Sequence, residues 1–379
     1  MALDTRTVDQ AEQAAVAAQA APSGQIDPAQ VEAFAFRVLN DASSMTATIM
    51  ASLGDRLGLF RALAKDGPAT SKQLADRAVI SERYAREWLG GMASAGYVTY
   101  SPLTGAFTLP AEHAPVLAQE GGPFFMGGLQ QMLLGMVAPY DRLVEAFRTG
   151  GGVPQSAYPE DMWSGLDRLT GAGFENSLLQ QWVPAMPAVR AALERGADVA
   201  DVGCGRGRAL IKLAQAFPNS RFVGYDSFAP TVADATAQAA AAGVGDRVRF
   251  EVRDVSQGLP SSFDIITTFD VIHDAVDPRG LLRVIRESLR PGGRYVCLDI
   301  DTPELLEDKQ GPISTLNYGC SIMYCMTTSL AEHGKGLGTV GLPESVLRAY
   351  CADAGFGAFR LVPQDNLFNN LFEVAAPGE

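Results

Sequence analysis

The segment DVGCGRGRAL, residues 201–210, sets Asp201 just ahead of three glycines, Gly203, Gly205 and Gly207, with Cys204 between the first two and an apolar run behind. Glycines this closely spaced let the backbone approach a ligand and let the following helix seat tightly on a sheet. The flanks discriminate between ligands. A dinucleotide turn carries a third glycine where Arg208 stands, and a pyrophosphate wants free N–H groups in positive potential. Asp201 opposes that. A cofactor bearing a sulfonium and an ammonium makes the opposite demand, because a carboxylate beside the turn lowers the energy of both cations. The turn therefore predicts S-adenosylmethionine (SAM).

Further acids stand where a nucleoside would use them. Asp226, followed by Ser227, ends RFVGYD about 20 residues past the glycines, the usual distance for a carboxylate that grips ribose hydroxyls. Asp254 ends VRFEVRD beside the expected adenine pocket, where it can accept from the exocyclic amine, and Val255 can line a ring face. Taken singly, each acid serves equally well as a helix cap or a solvated strand end. Three of them at successive strand ends, with the glycine turn, point to one nucleoside. The stretch FDVIHDAVDP, residues 269–278, follows the next strand and brings Phe269, His273 and Asp274 to the same edge.

The chain around these residues changes grammar near position 190. Beyond it, DVADVG, RFVGYD, VRFEVRD, FDIITTFD and RYVCLDID read as strands, with helical segments between them, and FGAFRLVP and NNLFEVAAP form a closing pair. That alternation predicts an α/β fold: a doubly wound, Rossmann-like sheet of seven strands over 190–379, with ligands at the carboxyl ends. Residues 302–340 are an insertion after the fifth strand. Its NYGCSIMYCMTTSL run, with Tyr318, Met323, Tyr324 and Met326, is apolar on all sides and predicts a buried helix covering the site.

Residues 28–150 show helical periodicity instead. Phe34, Val38 and Leu39, then Met45, Ile49, Leu53, Leu57 and Phe60, predict two helices. Thr70 and Gln73 have capping-box spacing, Ser81 can cap another helix, and Tyr97–Tyr100 and Ala106–Leu109 flank the turn SPLTG, which together predict a winged helix. Residues 151–189 link the two halves, and the Ala/Gln-rich residues 1–27 are expected to be a disordered tail.

The quoted run DVADVGCGRG, with RFVGYD, FEVRD, FDIITTFDVIHD and LRPGGRYVCLDID, resembles the successive motifs of class I SAM-dependent methyltransferases. With the winged helix, the whole resembles small-molecule methyltransferases that dimerise through that domain: an actinobacterial group and, more distantly, the phenolic O-methyltransferases. The resemblance implies cofactor contacts at Gly203, Gly205, Asp226, Asp254 and Val255; Asp201, Cys204, Gly207, Ser227 and Phe269 are expected beside them. It also implies that His273, which falls on the histidine of a VLHDW-like stretch, takes the proton of an acceptor hydroxyl, with Asp274 fixing its tautomer. A neutral imidazole suits that task. Two positions depart from the phenolic pattern. Phe269 replaces a lysine, and GKGLGTVG, residues 334–341, lacks the acid that steadies the histidine. The expected activity is methyl transfer from SAM to a small molecule, on oxygen with His273 as base. The alternatives are nitrogen or carbon transfer without a dedicated base, and a SAM-sensing or DNA-binding regulator.

The bulk numbers bound these readings. The 379 residues include 30 Lys and Arg against 43 Asp and Glu, a net charge of −13, which repels phosphate backbones. Between Thr70 and Gly96, Lys72, Arg77, Arg83 and Arg86 face Asp76, Glu82 and Glu87, which is no basic stripe. Nucleic acid is an unlikely partner, and a homodimer through the N-terminal domain is expected. No stretch reads as a membrane span or secretory signal. The five cysteines form no CxxC pair and have no ligand spacing with the three histidines, so a cytoplasmic protein without a metal is expected.

Overall fold

The computed structural model describes residues 26–377, so most of the expected N-terminal tail lies outside the described residues. The two helices expected between Phe34 and Phe60 break elsewhere than their grouping suggests. One unbroken helix runs Pro28–Arg56, capped by the Asp27 side chain on the Ala29 N–H, and the chain turns only at Gly58, φ +70°, before Leu59–Asp66. The polar run inside the long helix does not interrupt it. The hydroxyls of Ser44 and Thr48 return to the carbonyls of Asn40 and Ser44, four residues back, and so stay within the helix.

The winged helix follows as expected. Thr70 and Gln73 form a reciprocal capping box at the start of Ser71–Ala78, and Glu82–Ser94 comes next. Strands β1 (Thr99–Ser101) and β2 (Ala106–Thr108) pair antiparallel as the wing. Leu59, Phe60, Leu74, Trp88, Leu89 and Met92 fill its core.

Seven strands form the C-terminal sheet: β3 (Asp198–Val202), β4 (Arg221–Asp226), β5 (Val248–Val252), β6 (Phe263–Phe269), β7 (Leu289–Ile300), β8 (Phe359–Val362) and β9 (Asn369–Ala375). Their spatial order is β5-β4-β3-β6-β7-β9-β8. β3 to β7 run parallel, and β9 lies antiparallel to both β7 and β8. The order reverses between β3 and β6, so their carboxyl ends open the crevice where such sheets hold ligands. Helices cover both faces, with one core around Leu193, Leu210 and Phe222 and another around Leu282, Ile285 and Leu347.

The linker contributes the helix Glu160–Gly173, which packs against Gly127–Val137 so closely that a Cβ on Gly135 would sit 2.5 Å from Met162. The 302–340 insertion is helical across Gly311–Cys320, a π-turn Ser321–Cys325, and Met326–Ala331. It buries Tyr324 against Trp163 of the linker helix, with ring centroids 5.7 Å apart.

Candidate cofactor and acceptor site

The glycine turn begins where β3 ends, and each glycine answers a different demand. All three have positive φ: +70° at Gly203, +51° at Gly205 and +77° at Gly207. A Cβ on Gly207 would strike the Phe250 ring at 2.3 Å, so this glycine seats the helix Arg208–Ala216 on the sheet. A Cβ on Gly205 would meet nothing within 4 Å, which leaves its backbone open to a ligand. Cys204 is buried, with its sulfur against Gly224 of β4, and serves the packing of the turn.

Asp201 is buried and accepts a 2.6 Å hydrogen bond from the Thr267 hydroxyl of β6. Burial pushes its carboxyl up to about 7, against the pull of that hydroxyl. A nearby cation would restore its charge. Asp226 fastens the turn to the end of β4: one oxygen accepts from Gly205 N–H at 2.9 Å and the other from Phe228 N–H at 2.9 Å. A carboxylate oxygen has a second lone pair, so both keep capacity for sugar hydroxyls. Burial raises this acid too.

Around Asp226, Ser227 is exposed and Val255 is half-buried on the same edge. Asp254 is exposed and caps the Ser256 N–H at 3.0 Å, and Ser256 holds it below the ordinary carboxylate range. Its carboxylate is thus engaged locally. Phe269 stacks on Trp182 at 6.2 Å and meets Phe174 edge-on at 5.1 Å, lining an apolar cavity with Leu178 and Met186.

His273 lies in the loop after β6 and is 3% exposed. Its Nδ1 is 2.5 Å from an Asp299 oxygen at the end of β7, and its Nε2 is 3.1 Å from Asp274. Burial alone would depress the imidazole, but the charges of Asp274 and Asp299 outweigh it and hold the group well above its ordinary value. Asp299 is in turn fixed by the N–H groups of Ile272 and Ile300, at 3.1 and 2.9 Å. The shorter of the two contacts is with Asp299, a residue the sequence reading did not single out. Its one signal was its place at the end of LDID, level with the other strand-end acids. Asp270 was also missed. It adopts φ +57°, rare for a residue with a side chain, and pairs with Asn369 at 2.5 Å. Burial, with Asp299 nearby, pushes its carboxyl up to about 7.

Two family descriptions match separate parts of the chain: "Rv2258c-like winged HTH domain" over residues 45–119 and "Methyltransferase domain" over residues 193–332. The chain joins a winged-helix domain to a methyltransferase domain. Over 97 residues the chain is 39% identical to a trans-aconitate 2-methyltransferase of Deinococcus radiodurans, covering 26% of this chain and 35% of that one. A 27-O-demethylrifamycin SV methyltransferase of Amycolatopsis mediterranei is 31% identical over 160 residues, covering 40% and 57%. The chain thus spans about a third to somewhat over half of these relatives. The fold of the winged-helix methyltransferase architecture extends further. Human N-acetylserotonin methyltransferase, solved in complex with SAM, superimposes with a TM-score of 0.65 at 18% identity, over 95% of this chain and all of the other.

Proposed function

We propose that this protein is a SAM-dependent methyltransferase acting on a hydroxyl of a small molecule. The observation that carries the reading is that the open Gly205 turn with its buried acids and a histidine held between two carboxylates follow the carboxyl ends of two adjacent strands, β3 and β6. Several similar folds are described with SAM or SAH bound, and several relatives are named as O-methyltransferases.

In this reading Gly203, Gly205 and Gly207 shape the cofactor turn, with Asp201 as the counter-charge beneath it. Asp226 and Ser227 hold the ribose, and Asp254, Val255, Cys204 and Phe269 complete the lining. Asp299 holds Nδ1 of His273 and orients the ring; because the two carboxylates favour the imidazolium, the ring first sheds a proton, and Nε2 then takes that of the acceptor hydroxyl as the oxygen attacks the methyl carbon. The carbon–sulfur bond breaks as the carbon–oxygen bond forms, and SAH leaves. Asp274, beside Nε2, stabilises the imidazolium. Alignment of oxygen, methyl and sulfur supplies much of the remaining rate.

The N-terminal domain serves dimerisation. On the helix Pro28–Arg56, Phe34, Val38 and Met45 are more than half exposed and lie within about 40° of one another round the axis, an apolar stripe that a second copy would cover. Lys72, Arg83 and Arg86 are paired with Asp76, Glu87 and Glu82, and Arg77 donates to the Gly67 carbonyl, so the winged helix offers little free positive charge to DNA. No described helix is long and apolar enough to cross a membrane. A cytoplasmic dimer working on a metabolite fits these features.

The deciding experiment incubates the protein with deuterated-methyl SAM and cell extract. A small molecule that gains the labelled methyl in mass spectra is expected. A protein that neither transfers the label nor binds SAH in calorimetry would end the proposal.

A further inference from the structure

Among the described residues, His273, Asp274 and Cys325 bring an imidazole nitrogen, a carboxylate oxygen and a thiol sulfur within 4.8 Å of one another. The first two lie in the loop after β6 and the third in the π-turn of the cover, so the set exists only when the insertion packs onto the sheet. Asp274 and Cys325 are separated by residues 275–324, which explains why ligand spacing in the sequence gave no hint of it.

Two features go beyond proximity: burial and an outer-shell partner. The Asp274 Oδ1 is buried, with the ring nitrogen Nε2 at 3.1 Å to satisfy it. The Thr339 hydroxyl is likewise buried, with the Cys325 thiol beside it. Behind Nε2, the Asp299 carboxylate holds Nδ1, the outer-shell partner that metal-bound histidines characteristically have. The same carboxylate would orient a base, so the imidazole alone decides nothing; the thiol within 4.8 Å of the nitrogen and the carboxylate does.

We infer that His273 Nε2, Asp274 Oδ1 and Cys325 Sγ form a binding site for a soft divalent transition metal, zinc by its donor set. Thiolate and imidazole select such ions over magnesium and calcium, which want oxygen ligands. A tetrahedral zinc spaces its donors about 3.3–3.8 Å apart, a small contraction of the present cluster. Carboxylate and thiolate together neutralise the ion, and the thiol proton leaves to solvent. Three protein ligands leave a fourth position for water or a ligand oxygen. Metal on Nε2 occupies the lone pair that would take the acceptor's proton, so bound zinc holds the enzyme inactive. That consequence rests on the proposed function; the binding does not.

The test titrates the reduced, full-length protein with Co2+, whose thiolate charge-transfer absorption reports sulfur ligation. We expect the band to saturate at one equivalent, to vanish in C325S, and to persist in C320S, which removes the neighbouring cysteine. D299N should weaken Co2+ binding about 10–100-fold by loosening the imidazole, and it carries the test if C325S does not fold. Absence of the band in the natural protein, its survival in C325S, or unchanged affinity in D299N would overturn the site. SAH calorimetry on the same protein reports separately on the methyltransferase reading, so either can fail alone.

Discussion

The two sides of the crevice are built differently. The donor side is made of near neighbours: Gly205 reaches Asp226 across adjacent strands, Asp226 holds Phe228 two residues on, and Asp254 caps Ser256. The acceptor side adds far-separated pieces. His273 meets Asp299 of the adjacent strand, much as Gly205 meets Asp226, but Tyr324 of the insertion meets Tyr158 and Trp163 of the linker. The donor side can therefore keep its shape whatever the acceptor is, while the acceptor side changes with any insertion or linker. A common cofactor and a variable substrate call for that division.

If the division holds, chemistry and cofactor binding separate by mutation. Removing the base in H273A should lower labelled-methyl transfer by about 10²–10⁴ and leave SAH affinity within about twofold. A near-normal transfer rate would deny His273 its role. A large loss of SAH binding would show that the two sides are not independent.

The converse substitution is D226A. It removes the acceptor of the Gly205 and Phe228 N–H groups as well as the expected ribose contacts. Hydrogen bonds to charged groups contribute about 1.5–3 kcal/mol, so SAH affinity should fall about 10–100-fold in calorimetry. Loss of less than about threefold would mean that the ribose is held elsewhere.

Legibility in the sequence follows the same line. The capping box at Thr70 and Gln73, the seven strands and the three glycines are local patterns, and each is found where its spacing placed it. Apolar periodicity between Phe34 and Phe60 indicates two helices but does not place the break, which falls at Gly58. Asp254 stands at the end of its strand and caps Ser256 there, a local contact that strand-end position alone does not reveal. Cys325 was beyond reach, because its meeting with His273 depends on how the insertion docks on the sheet; Asp299 showed only as one more acid at a strand end. Periodicity and caps carry no information about docking.

Asp201 sharpens the donor side by pH. Its carboxyl is raised to about 7 in the fold, from 3.8 in a free chain. The folded form therefore binds a proton that the unfolded form has lost between those values, and this group's contribution to stability falls as pH rises from about 4 to 7. A bound cation favours the ionised form, so SAM affinity should move the other way. It should rise by up to about tenfold per unit as pH approaches 7 and level off above it. SAH, which keeps the ammonium but lacks the sulfonium, should show a shallower slope, and D201N should show none. A SAM affinity flat from pH 5 to 8 would remove Asp201 as the counter-charge.

The smallest effect concerns what ties the linker to the turn. Three ion pairs run from the linker to the start of the methyltransferase domain: Glu160 with Arg206, Asp167 with Arg208 at 2.6 Å, and Glu175 with Lys212 at 2.5 Å. Arg206 and Arg208 flank Gly207, so these pairs hold the turn from outside the sheet. Asp167 is the best buried of the three acids and engages Arg208 through two nitrogens. Pairs of this exposure contribute about 0.2–1 kcal/mol. D167N should therefore speed SAH release about two- to fivefold in stopped-flow measurements. High salt should speed release from the natural protein and add little in the variant, because near 1 M the screening length falls to about 3 Å. Equal release rates in both proteins would place the turn's rigidity wholly inside the sheet, and the donor side would then owe nothing to the linker.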